Sequence, residues 1–412
     1  MPHSHASGPR GHVPRVVVDL EKLRHINCGL GRFCLHLGRG IHTAAAGRFE
    51  PVFLLPRDAW RYFPGIRPSG LTVRPWRKEA VQRWLRPLRG AIGGRPAPDL
   101  WHSTNQMTKY LPLDPRVPVL LTIHDLNFLH ESGADSRPRE RARKLADIQR
   151  RVDRATAIVT DSRWVADDLA RHVDLRDTPV HVVPLGVAPP VPAAAARPPF
   201  VPPGPFLLSV GNALPHKNFH VLLDLAEAVP ETRVLIAGKK ATPYGEHVRR
   251  QVAQRGLAGR VILPGEVSDA DRQWLYERCE AFFFPSLTEG FGFPVLEAMQ
   301  CGKPVFISRR TSLPEIAGDL GEYLDAFDGP ALAAAYRRGM ARYHAVPGRA
   351  DALRQHAARF SWEATARGYA DVYADLLGAT AAAAAHRGPS GVHRETGENE
   401  CRTDVSPLRR AC

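Results

Sequence analysis

Residues 281–299 read AFFFPSLTEGFGFPVLEAM. Ala281–Phe284 is a short, wholly apolar run of the kind that forms a strand buried on both faces. The glycines of Thr288–Phe293 relax the chain into a loop, and Pro294 suits the first turn of a helix continuing through Met299. A strand feeding a helix through a glycine loop is half of a βαβ unit. The same alternation of short apolar or β-branched runs with helical patterns recurs along the chain, which implies parallel sheets. In the first half strands are expected at Arg15–Val18, Pro51–Leu55, Val117–Ile123, Ala157–Thr160 and Val180–Val183. In the second half they are expected at Phe206–Val210, Arg233–Ala237, Val261–Leu263, Ala281–Phe284 and Pro304–Ile307.

Between these halves, residues 189–205 hold eight prolines and no charged residue other than Arg197. Neither a helix nor a central strand runs through such a segment, and its stiffness suits two lobes facing each other across a cleft. The expected organisation is therefore a first domain at 13–188, a linker at 189–205 and a second domain at 206–358. A helix at 359–378 follows, opened by Ser361 as its cap. Residues 1–12 and the Ala-, Gly- and charge-rich 379–412 show no periodicity and are expected to be disordered.

The chain has 412 residues, 44% hydrophobic and 24% charged, the balance of a folded two-domain protein. Its apolar runs are far shorter than the ~20 residues of a spanning helix, and its first residues carry no apolar signal core, so a cytoplasmic place is expected. Cysteines 28, 34, 279, 301, 401 and 412 show no metal-ligand or paired spacing and read as free thiols. A formal charge of +14 favours anionic company such as phosphorylated substrates, an acidic membrane face or nucleic acid.

Ligands of open parallel sheets bind beyond the carboxyl ends of the strands, so the loops there carry the candidate chemistry. Gly29 and Gly31, with Arg32, stand at a helix entrance where backbone amides meet an anion, or where the turn is merely tight. His124 ends the third strand and either donates to a ligand or serves the core. Lys217, after Gly211, offers an ammonium to a diphosphate or to solvent. The amides of Gly290, Phe291, Gly292 and Phe293 face outward at a helix N-terminus. Glu289 sits on the loop before it and Glu297 about one turn in. These acids either hold a ligand or simply complement the helix dipole.

Glu289 to Glu297 resembles the E-x7-E signature of the retaining glycosyltransferases of family 4, whose fold is GT-B: two facing doubly wound Rossmann-like lobes with a C-terminal helix crossing back to the first. Further segments similar to that family run in order over residues 13–378: Gly29-Leu30-Gly31-Arg32-Phe33, Thr122-Ile123-His124-Asp125-Leu126, Asp161-Ser162, Val183-Pro184-Leu185-Gly186-Val187, Pro215-His216-Lys217-Asn218, Cys301-Gly302-Lys303-Pro304-Val305, Ser312-Leu313-Pro314-Glu315 and Phe360-Ser361-Trp362-Glu363. The resemblance implies that Glu297 holds the ribose of a nucleotide sugar and Glu289 the donor sugar. Lys217 would contact the diphosphate, helped by Gly31 and the amides of Gly290–Phe293, with Arg32 or His216 as further cations, and His124 would meet the donor sugar from the first lobe. Many members carry Arg after the glycine of the phosphate loop, where this chain has Asn212.

The segment Asp269-Ala270-Asp271 spells a D-x-D, but Ser268 or Asp269 reads better as the cap of a following helix, so no metal and no cofactor is expected. Residues 74–95 place Trp76 and Trp84 among Arg77, Lys78, Arg83 and other bases with the single acid Glu79. That mixture suits either the headgroup region of an anionic membrane or a solvated face. The expected function is transfer of a hexose from a nucleotide sugar to a growing, lipid-linked or oligosaccharide acceptor of the cell surface, at the inner face of the membrane. Mannose from GDP-mannose stands before UDP-glucose. A non-catalytic nucleotide-sugar binder and a transferase acting on a soluble acceptor are the alternatives. Nucleic-acid binding accounts for the charge but not for two acids converging on a glycine loop.

Overall fold

A computed structural model describes residues 13–65 except 27, residues 71–72, residues 97–130 except 113, and residues 138–386. The expected disorder of 1–12 and of 387–412, and the candidate membrane-docking residues Trp76, Arg77, Lys78, Arg83 and Trp84, lie outside the described residues.

Two parallel sheets form the molecule. The first has the order β3-β2-β1-β4-β5-β6-β7, with β1 Arg15–Asp19, β2 Glu50–Leu55, β3 Leu71–Thr72, β4 Leu100–Ser103, β5 Val119–Ile123, β6 Ala157–Thr160 and β7 Val180–Val182. The second has the order β10-β9-β8-β11-β12-β13, with β8 Leu207–Val210, β9 Val234–Ala237, β10 Val261–Gly265, β11 Ala281–Phe284, β12 Val305–Ser308 and β13 Glu322–Leu324. Every strand expected from sequence is present to within two residues at its ends. Three strands were not expected: β3, β13 and, most consequentially, the central β4.

In both sheets the strand order reverses at one place, between β1 and β4 and between β8 and β11. Such switch points open a crevice because successive crossovers leave on opposite faces. The register Ala281↔Leu207 and Phe282↔Leu208 brings the carboxyl ends of β8 and β11 side by side. Their loops are the ones that carry Lys217 and Glu289.

Phe282, Phe283 and Phe284 are fully buried, as an all-apolar strand covered on both faces must be. The helix Phe293–Gln300 follows, with Pro294 in its first turn and Gly292 ahead of it at φ 125°, a conformation that favours glycine. Residues 189–205 run between the sheets with neither helix nor strand.

The helix Trp362–His386 returns to the first sheet. Its Ser361 hydroxyl accepts the amide of Ala364 at 3.1 Å, the expected cap. Tyr369 and Tyr373 are fully buried, the first bonded to Thr122 at 3.0 Å and the second to His102 at 2.7 Å. The helix also continues past the expected end at 378, so residues 379–386 are not disordered as expected. The run Ala381–Ala385, with the highest of helix propensities, carries it on.

Candidate active site

The two switch points face one another across a cleft of about 500 Å³. From the second lobe it is lined by Gly211, Asn212, Lys217, Glu289, Gly290, Phe291, Gly292, Phe293 and Glu297; from the first, by Arg32, Phe33, His36, His124, Asp125 and Asp161. The structure thus brings together nearly every residue singled out from sequence. Gly31 is the exception. It is buried, and a Cβ on it would lie 2.2 Å from the carbonyl of His25. It is glycine for close backbone packing, whereas Gly29, Leu30 and Arg32 reach the cleft.

Lys217 donates to Glu289 Oε1 at 2.5 Å, both side chains little exposed. The Lys217 ammonium also lies 4.8 Å above the ring of Phe284, a second favourable seat for a cation. Two loops are locked together beneath this pair: Leu287 and Ser286 donate to the carbonyl of His216 at 2.7 and 3.1 Å. Ser312 donates to the carbonyls of Glu289 and Phe291 at 3.0 and 2.8 Å, which fixes the loop ahead of the helix. Burial, then Lys217, drives the His216 imidazole down to about 4, so it stays neutral beside the ammonium.

Glu297 accepts from the Tyr276 hydroxyl at 2.7 Å, and Arg272 Nε stands 3.9 Å from the same oxygen. Burial, then Glu297, holds the Tyr276 phenol far above its usual range, so it remains a donor. The carboxylate of Glu297 is therefore oriented on one side and open toward the cleft on the other.

His124 is almost completely buried. Its Nε2 bonds the carbonyl of Thr104 at 2.9 Å, and its Nδ1 meets Asp161 Oδ2 at 2.7 Å. A carbonyl only accepts, so Nε2 carries a proton, and because burial raises the Asp161 carboxyl as well, the pair shares a further proton between Nδ1 and Oδ2. Burial opposes the charge, yet Asp161 outweighs it and holds the imidazole above its usual range. Both ring nitrogens are thus held by protein, and His124 borders the cleft as a fixed ring rather than as a free donor. The other oxygen of Asp161 is buried with no partner among the described residues.

The lobes touch at the cleft floor. Ser162 donates to the carbonyl of Gly290 at 3.1 Å, and Thr288 to Asn127 Oδ1 at 2.6 Å. Glu315 accepts the amides of Arg163 at 2.9 Å and Trp164 at 3.3 Å, capping a first-lobe helix from the second lobe.

Ser268 caps the helix Asp269–Arg278 by accepting the amide of Asp271, as expected for the D-x-D segment. Asp269 is committed to Arg32 and Arg272, each at 2.9 Å. Among the described residues no group of three or more His, Cys, Asp or Glu could hold a metal ion, and no helix is long and apolar enough to cross a membrane.

Comparison with known proteins is consistent with this architecture. Residues 29–189 match the model for Glycosyltransferase Family 4. Residues 194–336 match the model for Glycosyl transferases group 1. The chain carries both domains of a GT-B glycosyltransferase. O-antigen chain mannosyltransferase B of Escherichia coli is 38% identical over 135 residues, 31% of this chain and 35% of that protein. The serotype-specific mannosyltransferase WbdA of Escherichia coli is 34% identical over 185 residues, 42% of this chain and 22% of that protein. The match thus spans about a third of the first relative's length and about a fifth of the second's. Sucrose-phosphate synthase of Thermosynechococcus elongatus has the same fold, with a TM-score of 0.68 at 20% identity over 89% of this chain and all of that one.

Sequence reasoning missed Arg272, Asp161 and His36 as lining residues of this GT-B cleft. Arg272 carried a one-dimensional signal, as the base three residues after Asp269 in the D-x-D segment. Asp161 stood in a family-like pair, but its bond to His124 crosses two strand ends that only the fold aligns.

Proposed function

We propose that this protein is a retaining hexosyltransferase. It moves mannose from GDP-mannose, or failing that glucose from UDP-glucose, to a growing, lipid-linked glycan of the cell surface. The observation that carries the reading is the Lys217–Glu289 pair between the glycine loop of β8 and the N-terminus of the Phe293–Gln300 helix. Free amides, a positive dipole end and an ammonium gathered at one point suit a departing diphosphate. The names of the two mannosyltransferase relatives support the choice of sugar.

In this reading Glu289 accepts the hydroxyls of the donor sugar and Glu297 those of the ribose, while His124, fixed by Asp161, shapes the sugar end. Glu289 is paired with an ammonium and Glu297 with a phenol and a guanidinium, so neither is a free nucleophile. A double displacement needs such a carboxylate beside the anomeric carbon. Retention therefore follows from substitution on one face. The bond from the anomeric carbon to the phosphate oxygen breaks, the acceptor oxygen bonds to that carbon on the same face, and the acceptor's proton passes to the leaving phosphate. Lys217 and the helix amides stabilise the diphosphate, so the step uses no metal and no cofactor.

The acceptor's lipid places the reaction at the inner face of the cell membrane, with Trp76, Arg77, Lys78, Arg83 and Trp84 docking on anionic lipid. A thermal-shift panel of GDP- and UDP-sugars tests the donor side. A rise in melting temperature with one of them is expected; no rise with any contradicts the reading.

A further inference from the structure

The cleft is not the only cavity of the site. A second, of about 390 Å³, adjoins it, and Arg32, Val210, Gly211, Asn212 and Arg272 line both. They form the seam between the two spaces. With the donor sugar at Glu289 and the ribose at Glu297, both in the main cleft, and the base in the second cavity, the group that links sugar to ribose runs beside this seam. On the proposed function, on which this inference rests, that group is a diphosphate.

Asn212 brings no charge to the seam, and the ammonium of Lys217 is already balanced by Glu289 at 2.5 Å. The cations of the seam are Arg32 from the first lobe and Arg272 from the second. Both donate to one carboxylate, Asp269, at 2.9 Å each. The Asp269 side chain is 61% exposed, whereas those of Arg272 and Arg32 are 22% and 33% exposed. Asp269 is the most exposed member of the bridge and lines the second cavity, whereas both guanidiniums line that cavity and the main cleft. An exposed pair of this kind contributes little, and a diphosphate offers a guanidinium more charge and a bidentate geometry.

We propose that Arg272 is a donor-binding residue: with Arg32 it clamps the diphosphate at the seam, and Asp269 holds both arginines in place until the diphosphate displaces it. The clamp also bridges the lobes, since its two arginines come from opposite sides of the cleft. It supplies the positive charge that Asn212 does not.

The test is isothermal titration of the full chain with UDP and GDP, and with the matching nucleosides. Arg272→Gln is expected to weaken diphosphate binding about tenfold or more, the worth of a lost charge-assisted hydrogen bond, and to weaken nucleoside binding clearly less, through Glu297, from which Arg272 Nε stands 3.9 Å. Arg272→Lys keeps charge but not the fork and should recover part of the loss; it also keeps the test valid if the Gln variant folds poorly. Asp269→Asn removes the competitor and should tighten diphosphate binding. Diphosphate affinity unchanged in both Arg272 variants, or an equal loss for diphosphate and nucleoside, overturns the clamp while the transferase reading stands. A wild-type chain that binds neither diphosphate overturns both.

Discussion

Lys217 and Glu289 lie 72 residues apart in the chain and meet at 2.5 Å, because the strands that precede them are neighbours at the switch point of the second sheet. Each holds the other where a donor would meet both. Removing Lys217 takes away the only ammonium among the described residues lining the main cleft. Lys217→Ala is expected to lower kcat/KM by about two orders of magnitude, the usual cost of one stabilising group at a developing anion. Glu289→Gln should lower kcat more than it raises the donor KM, and Glu297→Ala should do the reverse. Steady-state kinetics with varied donor separates these patterns.

The buried pair of His124 and Asp161 gives a second prediction. In Asp161→Asn the main counter-charge is gone, only the Thr104 carbonyl and Asp125 still oppose burial, and the imidazole pKa falls relative to the wild type. A nitrogen NMR titration should find the His124 imidazole losing its proton at higher pH in the wild type than in the variant. Turnover should fall in the same variant and in His124→Ala. An imidazole unchanged between the two proteins would mean that Asp161 does not control it.

His36 stacks on Trp362 with ring centroids 4.8 Å apart, where the crossing helix meets the first lobe. Burial, then Arg39 and Arg32, lowers its pKa from 6.5 to about 4. Between those values the unfolded chain binds a proton that the folded chain does not. Its contribution is intact above pH 6.5 and is lost as pH falls toward 4, by about 1.4 kcal/mol per pH unit. His36→Phe keeps a ring and removes this dependence. Denaturant melts at pH 6.5 and 5 should show the variant gaining roughly 1.6 kcal/mol on the wild type over that interval.

The basic, tryptophan-bearing segment predicts a surface affinity. Trp76→Ser with Trp84→Ser should reduce co-sedimentation with vesicles rich in anionic phospholipid several-fold, since interfacial aromatics and bases act together. Equal sedimentation of variant and wild type would assign those residues to an ordinary solvated face.

Much of this molecule was legible in one dimension because its strands are apolar on both faces and its ligand loops are marked by glycine and proline. The strand Leu100–Ser103 escaped because Trp101, His102 and Ser103 give neither an apolar run nor an alternation. It is nevertheless central, and His102 is tolerated there only because Tyr373 and Thr122 bond its two nitrogens, 271 and 20 residues away. Glycine was read correctly as a mark of close approach but not always toward the ligand. Gly31 makes room for the carbonyl of His25, and Gly290 for that of His124, in each case 2.2 Å from where a Cβ would stand. Gly290 is thus a point where the lobes close as well as a loop residue of the cleft. Arg272 was overlooked because its spacing from Asp269 reads as an ordinary helix pair, and only the fold brings Arg32 of the other lobe to the same carboxylate.

The activity proposed for this chain is transfer of a hexose with retention from a nucleotide sugar to a lipid-linked acceptor. The most direct measurement incubates the full chain with GDP-mannose or UDP-glucose and a bacterial lipid extract, then identifies the product by mass and its anomeric configuration by proton NMR. The account predicts a lipid-linked saccharide one hexose heavier, with the anomeric configuration of the donor, absent in Lys217→Ala. An inverted product, or no hexose transferred from either donor, would contradict it.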